Sequence, residues 1–93
     1  MRLLFFLLLS VATATLPAQN VNVDHRSTFS YSGQNLSNVW GYASGGNEYA
    51  LVGAKNGLSI VNVTNPDNPS QIIQISGPSS DWREIKTFQH YAY

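Results

Sequence analysis

The chain has 93 residues, 43% apolar and only 11% charged, with five basic and five acidic side chains that balance to zero. This composition excludes a charge-rich disordered tail, and the lack of a basic run to neutralise phosphates argues against nucleic acid as a partner. With no cysteine, disulfides, thiolate metal sites, a cysteine nucleophile and a lipid-modified N-terminal cysteine are excluded together.

The first element has the form of an export signal. Arg2 supplies a positive charge, Leu3 to Leu9 is uninterrupted apolar chain, and Ser10 to Leu16 stays weakly polar. From Leu3 to Leu16 there are 14 residues, short of the roughly 20 that a spanning helix needs. Cleavage after Ala14 (Ala12-Thr13-Ala14) or after Ala18 (Leu16-Pro17-Ala18) satisfies the small-residue rule. Ala18 is favoured because Pro17 breaks the apolar run and Gln19-Asn20 begins polar chain. The expectation is a signal-peptide helix over 1–18 and no membrane span after its removal. The destination is then extracellular or the cell surface, with the periplasm as a further compartment.

Residues 19–35 form a polar lead-in. Phe29 and Tyr31 alternate with serines, which suits a short edge strand. Asp24-His25-Arg26 gathers titratable groups, but no third ligand or orienting partner stands nearby. That segment reads as solvated chain rather than as a metal or acid–base cluster.

Residues 36–93 carry strands. Glu48 to Ala54 is apolar on both alternating faces, with Tyr49 and Leu51 on one and Ala50, Val52 and Ala54 on the other. A strand buried on both sides has this pattern. Lys55-Asn56-Gly57 supplies a turn, Asn-Gly being suited to the positive φ of a tight hairpin. Gly57 to Val63 returns antiparallel, Gln71 to Ile75 is a third run, and Trp82 to Phe88 opens a further unit. Trp40 and Trp82 lie 42 residues apart, and Ser37/Ser79, Tyr49/Tyr91 and Ala50/Ala92 repeat at the same offset. A period near 42 built from four strands is what one propeller blade requires. The fold class is therefore all-β, with antiparallel four-stranded blades and about one and a half blades present. After signal removal 75 residues remain, few for an all-β unit without disulfide or metal support. Further blades beyond Tyr93 are expected, as is a bare strand edge at Tyr91-Ala92-Tyr93.

Gly57-Leu58-Ser59-Ile60-Val61-Asn62-Val63-Thr64-Asn65-Pro66-Asp67-Asn68-Pro69 resembles an LVIVD repeat, whose pattern is Gly-Leu-x-Ile-Val-Asp-Val-x-Asp-Pro-x-x-Pro. Asn62 and Asn65 stand where that family usually has aspartates. Both residue types share the side-chain carbonyl that caps a turn, but a role needing negative charge, such as calcium ligation, is weakened. Over a wider span, Trp40-Gly41, Glu48 to Gly53, Asn56-Gly57 and Trp82 to Lys86 resemble the first blades of the choice-of-anchor B group. The resemblance implies an exported bacterial β-propeller and supplies no biochemical activity.

Asp81-Trp82-Arg83-Glu84-Ile85-Lys86 concentrates four of the ten charged residues. At the opening of a blade it would lie near the central channel, making Arg83, Glu84, Trp82 and Asp81 the ligand-binding candidates. The competing reading pairs these charges with each other and with loop backbone, and packs both tryptophans between blades. No catalytic set, cofactor site or metal site is identified. The expected function is that of a non-enzymatic binding or interaction protein, its partner a protein or glycan held by loops that include Tyr42 to Asn47 and Ser76 to Asp81. The alternative is an exported hydrolase or lyase whose catalytic groups lie partly on other blades, with Asp81, Arg83, Glu84 and His90 the residues here able to contribute.

Overall fold

The computed structural model describes residues 22–93. The export signal expected over 1–18, both cleavage sites and the start of the lead-in lie outside these residues. The described chain is all-β. Strands β1 (Leu36–Ser44), β2 (Asn47–Ala54), β3 (Gly57–Asn62) and β4 (Ser70–Ser76) form an antiparallel four-stranded sheet in chain order, and β5 (Thr87–Phe88) and β6 (Tyr91–Ala92) form a second, two-stranded one. No helix among the described residues is long and apolar enough to cross a membrane.

Turn chemistry fixes the register. Gly45 and Gly46 have φ of 59° and 79° and close the Ser44↔Asn47 pair, which is the two-residue turn whose twist suits a hairpin. That turn makes β1 a strand in its own right, and it turns Tyr42 to Asn47 from an open loop into a strand end and a tight bend. Lys55-Asn56 forms the next turn, and both residues keep negative φ. The glycine is needed one position later. Gly57 has φ of 149°, and a Cβ there would sit 1.9 Å from the carbonyl oxygen of Ile75. The Asn-Gly pair thus serves the close approach of β4 rather than the hairpin turn.

Between β3 and β4 the two asparagines of the repeat-like segment each make an Asx turn. Asn62 Oδ1 accepts from the Thr64 amide at 2.9 Å and Asn65 Oδ1 from the Asp67 amide at 3.1 Å. The expected capping role needs only the amide carbonyl, and asparagine supplies it. Along β4 the register passes from Ile60↔Ile73 to Val61↔Gln71, skipping Ile72 as a β-bulge.

Both faces of the sheet are apolar. One carries Val39, Ala50, Val52 and Val61, and the other Trp40, Tyr42, Leu51 and Ile60, as the paired register requires. Different segments cover them. The lead-in lies against the first face, where Ser59 and Val61 of β3 are buried. Residues 83–92 cross the second face near β1, where Trp40 Nε1 donates to Thr87 Oγ1 at 2.8 Å and the Ile85 amide donates to Asn38 Oδ1 at 3.0 Å. Leu51, Ala54, Val61 and Ile85 are each at most 4% exposed. Coverage is incomplete at opposite corners. Val39 stays 63% exposed on the first face, and on β4 all seven residues, including Ile72, Ile73 and Ile75, are exposed.

Three local expectations are corrected. Phe29 and Tyr31 form no strand; they stack edge to face at 5.1 Å and act as packing groups on the sheet. Trp82 to Lys86 is extended but unpaired as a ladder, and only Thr87–Phe88 is strand. The Tyr91-Ala92-Tyr93 end is not bare, because it folds back on residues 86–88, with Lys86 and Tyr93 exchanging backbone bonds of 3.1 and 2.9 Å. Its turn at Gln89-His90 comes two residues later than the tryptophan offset predicts. The second unit therefore does not repeat the first hairpin residue for residue.

Candidate functional site

The four nominated side chains follow β4 in the segment that climbs back over the sheet. Arg83 is fixed by its backbone and its side chain together. Its amide donates to Ser37 Oγ at 3.1 Å, and the same hydroxyl faces its carbonyl at 2.9 Å and that of Gly53 at 3.2 Å. A hydroxyl carries one proton, so it serves one of these two carbonyls at a time. The guanidinium donates from Nε to the Ala54 carbonyl at 3.0 Å and from Nη2 to the Pro78 carbonyl at 2.5 Å. A fork of fixed donors suits that task better than an ammonium would. The close approach depends on Gly53, where a Cβ would stand 2.6 Å from the Arg83 carbonyl oxygen.

The other three diverge. Asp81 faces Lys55 at 3.8 Å, and Glu84 pairs with Lys86 at 3.2 Å. The Lys86 ammonium also sits 4.4 Å above the Trp40 ring, a cation–π contact. Trp82 is 92% exposed and packs against nothing within the described chain. Trp40, half-buried and hydrogen-bonded, is therefore not matched in environment by its partner at the repeat offset. Asp81, Arg83, Glu84 and His90 do not converge. His90 lies instead beside Tyr42, its Nδ1 3.5 Å from the phenol oxygen.

The concave surfaces lie elsewhere. A groove of about 610 Å³ runs between the lead-in and the first face, floored by Val39, Val52, Val61 and Val63 and walled by Phe29 and Tyr31. A second, of about 350 Å³, lies between the second face and the β5–β6 hairpin and includes Tyr42, Tyr49, Ile60, Ile72 and His90. None of the four nominated residues lines either groove. Both are apolar, which suits packing more than acid–base chemistry.

The lead-in's role was hidden by its polarity. Arg26 grips Asp67 through two bonds of 2.8 and 2.7 Å, Ser27 Oγ donates to the Pro66 carbonyl at 2.5 Å, and the Tyr31 hydroxyl donates to Ser59 Oγ at 2.9 Å. Gln71 Nε2 donates to the same serine at 2.8 Å, giving this fully buried hydroxyl two donors on one face of the sheet. The Arg26 guanidinium holds the Asp67 carboxyl below its ordinary range. His25 bonds Thr28 at 2.9 Å, so His25 turns to a near neighbour while Arg26 reaches across to the β3–β4 loop. Among the described residues no group of three or more His, Asp or Glu side chains is arranged to hold a metal. The alternation of Phe29 and Tyr31 with serines was the signal for this strap.

Comparisons with family models, curated proteins and solved structures return no match to the chain.

Proposed function

We propose that the chain supplies the first blade and the opening of the second in an exported, non-enzymatic β-propeller of the LVIVD-repeat type, acting as a binding or interaction protein at the cell surface. One observation carries the reading. A four-stranded antiparallel meander, apolar on both faces, leaves uncovered patches at opposite corners, Val39 on one face and Ile72, Ile73 and Ile75 on the other. Face-to-face stacking of like sheets around an axis covers such patches in pairs. A lone sheet of this kind is a poor end state, since the exposed isoleucines cluster on one strand instead of lying singly over the surface.

The non-enzymatic part is supported by the divergence of Asp81, Arg83, Glu84 and His90, since general acid–base work needs groups converging on one substrate. Export is supported by Arg2, the Leu3 to Leu9 run and the small residues at Ala14 and Ala18. The exposed Trp82 ring offers a flat apolar surface to a glycan or protein partner. Reading the gene downstream of Tyr93 tests the proposal. Further Gly-Leu-x-Ile-Val-Asp units at a spacing near 42 residues are expected, and an open reading frame without them sinks the propeller.

A further inference from the structure

Along residues 82–88 burial alternates strictly. Arg83, Ile85 and Thr87 turn inward and are half-buried or buried, while Trp82, Glu84, Lys86 and Phe88 stand exposed. The segment is pinned from below. Ser37 and Asn38 hold the Arg83 and Ile85 amides, and Thr87 Oγ1 takes the Trp40 indole N–H. Ser80 Oγ brackets Trp82, accepting from its amide at 3.1 Å and facing its carbonyl at 3.0 Å. The returning strand β6 widens the outward side. Phe88 pairs with Tyr91, and Lys86 exchanges backbone bonds with Tyr93, so each tyrosine shares the face of its partner. The four rings of this stripe are each at least 64% exposed, although Tyr91 also borders the smaller groove. Trp82 and Phe88 stand about 20 Å apart at roughly 3.3 Å per residue. Between them on the outward side is the Glu84–Lys86 ion pair, at 3.2 Å and exposed.

We propose that this stripe binds a neutral, linear oligosaccharide. Its sugar rings stack on Trp82 at one end and on Phe88, Tyr91 and Tyr93 at the other, and its hydroxyls engage Glu84 and Lys86 between them. The order of groups along the stripe selects that chemistry. A pyranose ring has a flat C–H face that matches an exposed aromatic ring, and a chain of such rings repeats that face over the length available. In the middle a carboxylate accepts and an ammonium donates. A hydroxyl does both, so a sugar replaces the water it displaces from the ion pair. A second sheet stacked here would bury the same pair without replacing that water, at a desolvation cost that favours leaving it open. A polyanion would meet one lysine cancelled by its carboxylate. Because the backbone under the stripe is already held, binding orders little of the protein. The inference deepens the binding reading above and rests on it, but it requires no particular number of blades.

The test titrates the full-length protein with cellotetraose, laminaritetraose, maltotetraose and chitotetraose, neutral chains of different linkage, followed by calorimetry and tryptophan fluorescence. At least one should bind and should shield Trp82 from acrylamide quenching. Trp82→Ala should weaken that binding by about tenfold or more, the loss ordinary for a tryptophan anchor. Its thermal unfolding should not change, because the ring packs on nothing within the described chain. Tyr93→Ala should weaken binding at the other end of the stripe, an arm that leaves Trp82 in place. Val23→Ala, comparably exposed but on the lead-in, should bind as the wild type does. Added salt should leave the affinity unchanged, since the ligand carries no charge to screen. No binding of any of the four sugars at millimolar concentration, or equal affinity in Trp82→Ala, would overturn the proposal. So would a Trp82 already shielded from acrylamide in the sugar-free protein, which would mean that protein covers the stripe. The propeller stands or falls separately, on the sequence downstream of Tyr93.

Discussion

Replacing Gly57 with alanine tests whether the β3–β4 approach is as close as described. The new Cβ would lie 1.9 Å from the Ile75 carbonyl oxygen and 3.1 Å from the Gly77 nitrogen, on a residue whose φ is 149°. Backbone cannot swing aside as a side-chain tip can, so β4 must move away by about 1.5 Å to reach ordinary contact. The φ strain costs roughly 1–3 kcal/mol. Movement also weakens the terminal Gly57↔Ser76 pairing and the 2.9 Å bond from the Gly77 amide to the Asn56 carbonyl, each worth about 0.5–1.5 kcal/mol net. Together these come to about 2–6 kcal/mol. At roughly 4–8 °C per kcal/mol for a domain of this size, thermal unfolding followed by far-UV circular dichroism should shift down by about 10 °C or more. Gly45→Ala is the control. Its φ is 59° but nothing lies within 4 Å of the added Cβ, so it should lose only the left-handed penalty of roughly 1–2 kcal/mol. If Gly57→Ala were no more destabilising than Gly45→Ala, the close β3–β4 approach would be refuted.

Ser59→Ala should cost about 1–3 kcal/mol, because it strands two donors at a buried position, and a cycle with Tyr31→Phe in chemical denaturation should show coupling between the two sites. Arg83→Ala should destabilise by about 1–3 kcal/mol through the lost bonds to the Ala54 and Pro78 carbonyls, whereas Trp82→Ala should change stability by less than about 0.5 kcal/mol; similar losses for both would contradict the positions described for them. The Asp67 carboxyl, lowered by Arg26, contributes to holding the lead-in at pH above about 4, the ordinary carboxylate value. That contribution fades as pH falls through the lowered value. Amide hydrogen exchange in residues 26–31 should therefore rise in acid relative to β2, after correction for the intrinsic rate, and Asp67→Asn should raise it already at neutral pH.

Alternating apolarity on both faces of residues 48–54 was enough to read a doubly buried strand, because β2 sits in the interior of the sheet and its neighbours impose the same demand on each side. The Asx turns at Asn62 and Asn65 were equally legible, their chemistry being local. The β1 strand was obscured by its mixed composition. Its identity depends on the glycine turn at Gly45-Gly46 and on pairing with β2, and the Gly-Gly pair was the signal. The Trp82 segment misled for the opposite reason. Following three strand-like runs at short spacing, it reads as the strand opening a further unit, but Ser37 and Asn38 side chains take the Arg83 and Ile85 amides, and no ladder forms over residues 82–86. Candidate site residues were chosen by charge density, which reports where charges lie in sequence and not where they point. Arg83 turns to backbone, Glu84 to Lys86 and Asp81 to Lys55, while the groove on the first face is built from the lead-in aromatics and sheet valines. Long-range contacts of that kind leave only faint traces, such as Phe29 and Tyr31 spaced by one serine.

The most direct test of the blade reading is an experimental structure of the full-length protein. It should show β1–β4 as one blade, with a like sheet stacked against Val39 on one face and another against Ile72, Ile73 and Ile75 on the second. A sheet that stands alone, or that packs on one face only as half of a β-sandwich, would contradict it.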